Sequence, residues 1–242
     1  MRACLPIVVL WWMALSAALA QTPAMPFGQH PEAVFPLSKG TVWVYEGLVR
    51  WTLPGSDKEF EKKITWKMEI VDTVGRDSLL AAVVKGHPAD LAWYEEERAP
   101  GDYVIIRRDP GEYYLVEPFR FQEVRRRLEN PTDTLDALLQ DEELFLDWPL
   151  AKGKKWGEPE ALKRDDLLYQ WVVEEERPVR LGSVKGVEAA GRVTQYRLAY
   201  RTLPDHTLID FVPGVGIIHY VYAHHGTVAE ADVKLVEYHA GQ

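Results

Sequence analysis

Residues 59–70 read EFEKKITWKMEI: Phe60, Ile64, Trp66, Met68 and Ile70 fall on even positions, while Glu59, Glu61, Lys63, Thr65, Lys67 and Glu69 take the odd ones. Only Lys62 breaks the alternation. A period of two sends successive side chains to opposite faces, so this stretch predicts a β-strand with one buried and one wet face. Such strands build antiparallel sheets. The same period recurs in Tyr196, Leu198 and Tyr200 set against Gln195, Arg197 and Arg201, and in Tyr169, Trp171 and Val173 around Gln170 and Glu174. Asp109-Pro110-Gly111 separates the apolar runs 103–106 and 113–116; proline presets the first turn dihedral and glycine accepts the second, which predicts a hairpin. Further strands are expected at 41–52, 78–85, 206–212, 215–223 and 231–239. The unbroken apolar run LLAAVV at 79–84 predicts a central strand covered on both sides.

One helix is predicted, over 132–143, where Leu135, Leu138 and Leu139 share a face behind Asn130-Pro131 and capping residues at Thr132 to Thr134. It divides a single domain, 35–242, into two β-rich halves, 35–130 and 144–242. Consecutive strands with short turns imply a meander rather than a βαβ winding. The expected fold is mainly β: a strongly curved antiparallel sheet, half-barrel or barrel, with one short helix near residues 132–143.

A short repeat marks the two halves. Pro36-Leu37-Ser38-Lys39-Gly40-Thr41-Val42-Trp43 and Pro149-Leu150-Ala151-Lys152-Gly153-Lys154-Lys155-Trp156 share P-L-x-K-G-x-x-W. The proline blocks ladder pairing, the glycine permits a turn, and the tryptophan enters the first strand of each half. Both tryptophans are expected to be buried anchors rather than parts of a binding surface. Pro213-Gly214-Val215-Gly216 reads as a turn between two strands; it lacks the spacing and following helix that phosphate binding needs.

The beginning of the chain predicts export. Arg2 precedes an apolar run from Leu5 to Leu15, and Ser16-Ala-Ala-Leu-Ala20 supplies an A-x-A cleavage pattern, so residues 1–20 read as a signal peptide and Gln21 as the mature first residue. Residues 21–34, with three prolines, read as a loose lead-in. No membrane span is expected after cleavage. The mature chain loses the only cysteine, Cys4, and is left with 27 basic against 37 acidic residues, net −10. Without disulfides its stability must come from packing. The negative balance argues against nucleic acid or an anionic membrane as partner.

The opening Pro36-Leu37-Ser38-Lys39-Gly40-Thr41-Val42-Trp43-Val44-Tyr45 and the closing Val212-Pro213-Gly214-Val215-Gly216-Ile217-Ile218 resemble a family of uncharacterised exported β-rich proteins of bacteria, with a P-L-x-x-G-x-x-W-x-Y start and a C-terminal P-G-V-G strand motif. The resemblance implies secretion and an antiparallel β architecture, and transfers no catalytic residue. The expected curved sheet is also similar in architecture to the half-barrels that ferry lipids or lipoproteins across the periplasm.

Catalytic signals are weak. The four serines after residue 20 (Ser38, Ser56, Ser78 and Ser183) lie in no nucleophile motif, so no enzyme is expected. His219, His224 and His225 match no metal-ligand spacing; neither metal nor cofactor is expected. His87, in Gly86-His87-Pro88, reads as a loop residue. Acidic runs at 95–97, 141–143 and 174–176 and the basic run 125–127 read as hydrated or mutually paired. Seven tryptophans, 11 tyrosines and seven phenylalanines in the mature chain are enough to form a core and also to line a concave cup. The leading expectation is a non-catalytic protein of the bacterial envelope, periplasmic or extracellular, that binds or carries an apolar or amphipathic ligand or an envelope protein. The alternatives are a glycan or peptide hydrolase with a carboxylate pair, and a purely structural surface component. An apolar cavity, a cleft with opposed carboxyls, or neither would separate the three.

Overall fold

The computed structural model of the chain describes residues 34–53, 55, 58–108, 111–187 and 191–241. The expected signal peptide, nearly all of the lead-in, and Asp109-Pro110 of the hairpin turn lie outside them. Twelve antiparallel strands form a single sheet: β1 (Val42–Thr52), β2 (Glu59–Arg76), β3 (Leu79–Lys85), β4 (Asp102–Arg108), β5 (Glu112–Val116), β6 (Leu144–Asp147), β7 (Lys155–Gly157), β8 (Gln170–Val179), β9 (Val193–Arg201), β10 (Asp205–Val212), β11 (Gly216–His224) and β12 (Ala229–His239). The order is β6-β5-β4-β3-β2-β1-β12-β11-β10-β9-β8-β7, so every strand pairs with its sequence neighbour except β6 with β7, and β1 closes on β12. This is an up-and-down barrel that is nearly shut. At the one unpaired seam, Lys154 Nζ donates to the Asp147 carbonyl at 2.6 Å and to that of Pro149 at 2.9 Å.

The strand expected at 59–70 forms and extends to Arg76, with Met68 and Ile70 fully buried. In β3, Ala82 and Val84 face the barrel interior while Ala81 and Val83 join a second cluster outside it, so both faces are covered as the apolar run implied. The short strands β6 and β7 carry too few residues for periodicity to reveal. Because β6 pairs with β5, residues 144–147 complete the first run of strands, and the second begins at β7.

The expected helix over 132–143 does not form. Leu135 and Ala137 adopt positive φ, at 59° and 52°, which ends any right-handed helix. Asp133 Oδ1 accepts the Leu135 N–H at 2.7 Å, and Asn130 Oδ1 accepts that of Thr132 at 3.1 Å, so local side chains satisfy the backbone in a loop. The leucine spacing is nevertheless used, since Leu138 is buried and Leu135 and Leu139 pack beside it. The helix lies earlier: α1 (Pro118–Glu129) begins with proline, ends with Arg126 and Arg127 in its last turn, and buries Phe121, Val124 and Leu128 against the outer face of β3, β4 and β5. Arg120 ties it to the loop through Glu143, at 2.5 Å, and the Leu138 carbonyl, at 3.1 Å.

The repeated turns superimpose bond for bond. The Thr41 N–H donates to Ser38 O and the Lys154 N–H to Ala151 O; the Gly40 N–H donates to Ile70 O and the Gly153 N–H to Val173 O, each of these last two at 2.8 Å. Ile70 and Val173 return bonds to the Thr41 and Lys154 carbonyls. Gly40 and Gly153 hold φ of 83° and 87°, a conformation that disfavours any side chain. Pro36 and Pro149 precede them, Leu37 and Leu150 are buried, and so are Trp43 and Trp156.

One end of the barrel is plugged. Val34, expected at the tail of a loose lead-in, is fully buried, and its carbonyl accepts the Gly214 N–H at 2.9 Å. Phe35 follows it, with ring centroids 5.8 to 6.3 Å from those of Trp43, Tyr113, Phe145 and Phe211 on four strands. The Trp43 indole donates to the Val215 carbonyl at 2.6 Å. In the turn after Pro213, Gly214 and Gly216 have φ of 83° and 98°, and a Cβ on Gly216 would meet that indole at 3.3 Å.

Candidate functional site

The opposite end is open, and from it a cavity of about 710 Å³ enters between the two runs of strands. Tyr103, Leu115 and Phe145 supply one wall and Trp171, Tyr200, Ile209, Tyr220 and Tyr222 the other, with Trp93 and Phe119 also contributing. Tyr220 and Tyr222 share a face of β11 through the strand period, and Trp171 of β8 lies 5.2 Å, centroid to centroid, from Tyr200 of β9. Trp156 stacks on Trp171 at 6.2 Å from behind. The volume suits a small organic ligand.

The β3–β4 connection builds the polar part of the wall. Asp90 Oδ2 accepts the Gly101 N–H at 2.6 Å, Asp90 Oδ1 accepts the Tyr103 hydroxyl at 2.9 Å, and Arg98 donates to the Asp90 carbonyl at 2.8 Å. His87 is almost fully buried, and its Nδ1 accepts the Ala89 N–H at 3.2 Å. Burial pushes its pKa down to about 3, so the ring is neutral at ordinary pH. With Nδ1 accepting, the proton sits on Nε2, which has no partner among the described residues.

Five carboxylates reach the lining, Asp90, Glu117, Glu142, Glu143 and Asp205, against one arginine, Arg98. Three are committed to the protein: Asp90 as above, Glu143 to Arg120, and Asp205 to the Tyr222 hydroxyl at 2.6 Å and His224 Nδ1 at 2.8 Å. Burial pushes Glu143 up against the pull of Arg120. It also raises Asp205, but hydrogen bonds from Tyr222 and His224 more than offset this and hold its pKa below the usual range. Glu117, at the mouth, is raised by the crowding of the cavity wall. Tyr103, Tyr220 and Tyr222 are raised well above the ordinary phenol range, each chiefly by burial, and remain neutral hydroxyls.

The three histidines considered from sequence go to different partners. His219, on the outer face, bridges Asp210 and Asp232 at 3.2 and 2.8 Å, His224 meets Asp205, and His225 Nε2 lies 3.4 Å from His206 Nε2. Among the described residues no group of three or more His, Cys, Asp or Glu is arranged to hold a metal. Burial raises Asp210, but His219 and Arg197 more than compensate and hold it at about 2. Arg177 pairs with Glu175 and Arg125 with Glu129, whereas Glu96 goes to Lys62 and Glu174 to Arg201, while Arg98 donates to the Asp90 carbonyl.

None of the residues singled out by the sequence motifs, Pro36, Leu37, Gly40, Trp43, Pro149, Leu150, Gly153, Trp156, Pro213, Gly214 and Gly216, lines the cavity. The lining residues His87, Tyr103, Phe145 and Trp171 belong to no motif. The alternation of Tyr220 and Tyr222 places them on one face but not on which surface that face looks. No helix among the described residues is long and apolar enough to cross a membrane.

No protein-family model matches the chain, and no curated protein matches it. Two solved structures are similar over 85% of this chain and 98% of theirs: a candidate lipoprotein from Parabacteroides distasonis, 13% identical with a TM-score of 0.34, and a candidate exported protein with a YmcC-like fold from Bacteroides fragilis, 11% identical with a TM-score of 0.40.

Proposed function

We propose that the chain is an exported, non-catalytic binding protein of the bacterial envelope that holds an apolar or amphipathic ligand in the one-ended cavity. The observation that carries this reading is the aromatic wall of the one-ended cavity. Aromatic faces accept a hydrocarbon or ring body. A hydrolase built on a carboxylate pair is the weaker reading, because three of the five lining carboxylates, Asp90, Glu143 and Asp205, already spend their oxygens on protein donors, which leaves only Glu117 and Glu142 for such a pair. Export rests on the A-x-A pattern and on the family resemblance of the opening and closing motifs.

Native mass spectrometry of protein purified from its own envelope tests the reading, with an adduct of one small molecule on a chain beginning at Gln21 as the expected result. In parallel, the apolar fluorophore N-phenyl-1-naphthylamine should bind one-to-one. Leu115→Trp, which fills the cavity from a lining position, should weaken that binding roughly tenfold. Neither an adduct nor saturable dye binding by the wild-type protein would remove the carrier reading.

A further inference from the structure

Strand direction alternates in an up-and-down barrel, so connections alternate between its ends. The open end carries the loops β1–β2, β3–β4, β5–β6, β7–β8, β9–β10 and β11–β12. All the large apolar side chains exposed among the described residues belong to these loops: Leu53, Trp93, Phe119, Leu162, Tyr169 and Leu203. Five of the six connections contribute, and Phe119 and Leu203 are 81% and 73% exposed. The plugged end has apolar loop residues too, but Leu150, Leu181, Val184 and Val215 are all buried there. The asymmetry is therefore one of placement: one end tucks its apolar side chains in, and the other displays them in a ring around the cavity mouth.

We propose that this ring docks on the surface of a zwitterionic phospholipid bilayer. Three features select a bilayer over a protein partner. The six apolar tips are spread over five connections, whereas a protein interface needs a contiguous packed core depleted of charge. Three of the six tips have a charged neighbour: Lys163 follows Leu162, Glu117 lies two residues before Phe119, and the Arg164 guanidinium lies 5.4 Å from the centre of the Tyr169 ring. Tryptophan, tyrosine and leucine beside basic side chains suit the boundary between headgroups and acyl chains, where the apolar part dips in and the charge stays in water. Charge then selects the lipid, since Glu117 and Glu142 at the mouth and the net −10 of the mature chain repel an anionic surface. The ring goes beyond the carrier reading and does not require it, but it would place the cavity mouth at a membrane from which an amphipathic ligand could be taken.

Co-flotation of the mature protein with phosphatidylcholine vesicles tests the proposal. Leu53→Ser/Leu162→Ser/Leu203→Ser changes three ring positions, none of which lines the cavity. The wild-type protein should float with the vesicles, the triple variant should bind roughly tenfold more weakly, and admixed phosphatidylglycerol should weaken binding by the wild type. Dye capture by the triple variant should be unchanged, so loss of the ring and loss of the cavity are read separately. If the triple variant does not fold, Leu203→Ser alone, at an exposed position outside the cavity lining, should give a partial loss. Wild-type protein that stays with the unbound fraction, or a folded variant that floats equally well, overturns the proposal. So does a wild-type dimer that the variant dissolves without any vesicle binding, since that would assign the ring to a second copy of the chain.

Discussion

Trp43 and Trp156 occupy equivalent places in the repeat, yet their indoles differ: Trp43 donates to Val215 O, while Trp156 Nε1 is buried with no partner among the described residues. The repeat therefore fixes backbone and burial, and the surroundings fix the hydrogen bond. His87 shows the same dependence in its titration. Its folded pKa is depressed to about 3 from the ordinary 6.5, so below pH 6.5 the unfolded chain takes up a proton that the folded chain refuses. The stability present above pH 6.5 is lost as the pH falls towards 3, at up to about 1.4 kcal/mol per pH unit. His87→Asn keeps a side-chain acceptor for the Ala89 N–H and cannot titrate. Urea unfolding between pH 7 and pH 4.5 should show the wild type losing stability faster than the variant, and parallel curves would mean that His87 is not buried neutral.

At the scale of elements, the joint between β1 and β12 holds the two runs of strands together, and Gly47 lies in it opposite Val233. A Cβ there would stand 1.9 Å from the Asp232 carbonyl oxygen and 2.7 Å from Val233 Cα, both backbone atoms that cannot turn aside. At Gly153 a Cβ would meet nothing within 4 Å, and only its φ of 87° opposes a side chain. Gly47→Ala should therefore cost more than about 4 kcal/mol, against about 1 to 2 kcal/mol for Gly153→Ala. Equal urea midpoints for the two variants would contradict this account of the joint. The helix is instructive at the same scale. Leucine spacing over 132–143 suggested a helix, but Asp133 and Asn130 hold the backbone in a loop, and α1 forms where Pro118, the spacing of Phe121, Val124 and Leu128, and two terminal arginines agree. Those signals were present in the sequence but masked by the density of charge around them.

Across the whole molecule, one interior cluster draws on both runs of strands, with Phe35, Trp43, Tyr113 and Phe145 meeting Val173, Phe211, Tyr220 and Val233. The second run has no cluster of its own, and if the two part the first keeps only the smaller one between α1 and the outer face of β3, β4 and β5. Unfolding in urea should therefore be a single transition, with tryptophan fluorescence and far-ultraviolet circular dichroism giving the same midpoint. Two separated transitions would show that the halves are independent.

Local residue pattern alone determined the strand periods, the meander, the repeated turns and the absence of a covalent staple, because each depends on neighbours within about ten residues. The cavity depended on the tertiary structure. Period two says that Tyr220 and Tyr222 share a face, but only closure of β1 on β12 turns that face inward, and only the plug at Phe35 leaves the other end hollow. His87 is likewise an ordinary loop residue in sequence; burial among side chains from distant strands makes it a neutral donor. Burial is a property of contacts between residues far apart in the chain, so no local pattern encodes it.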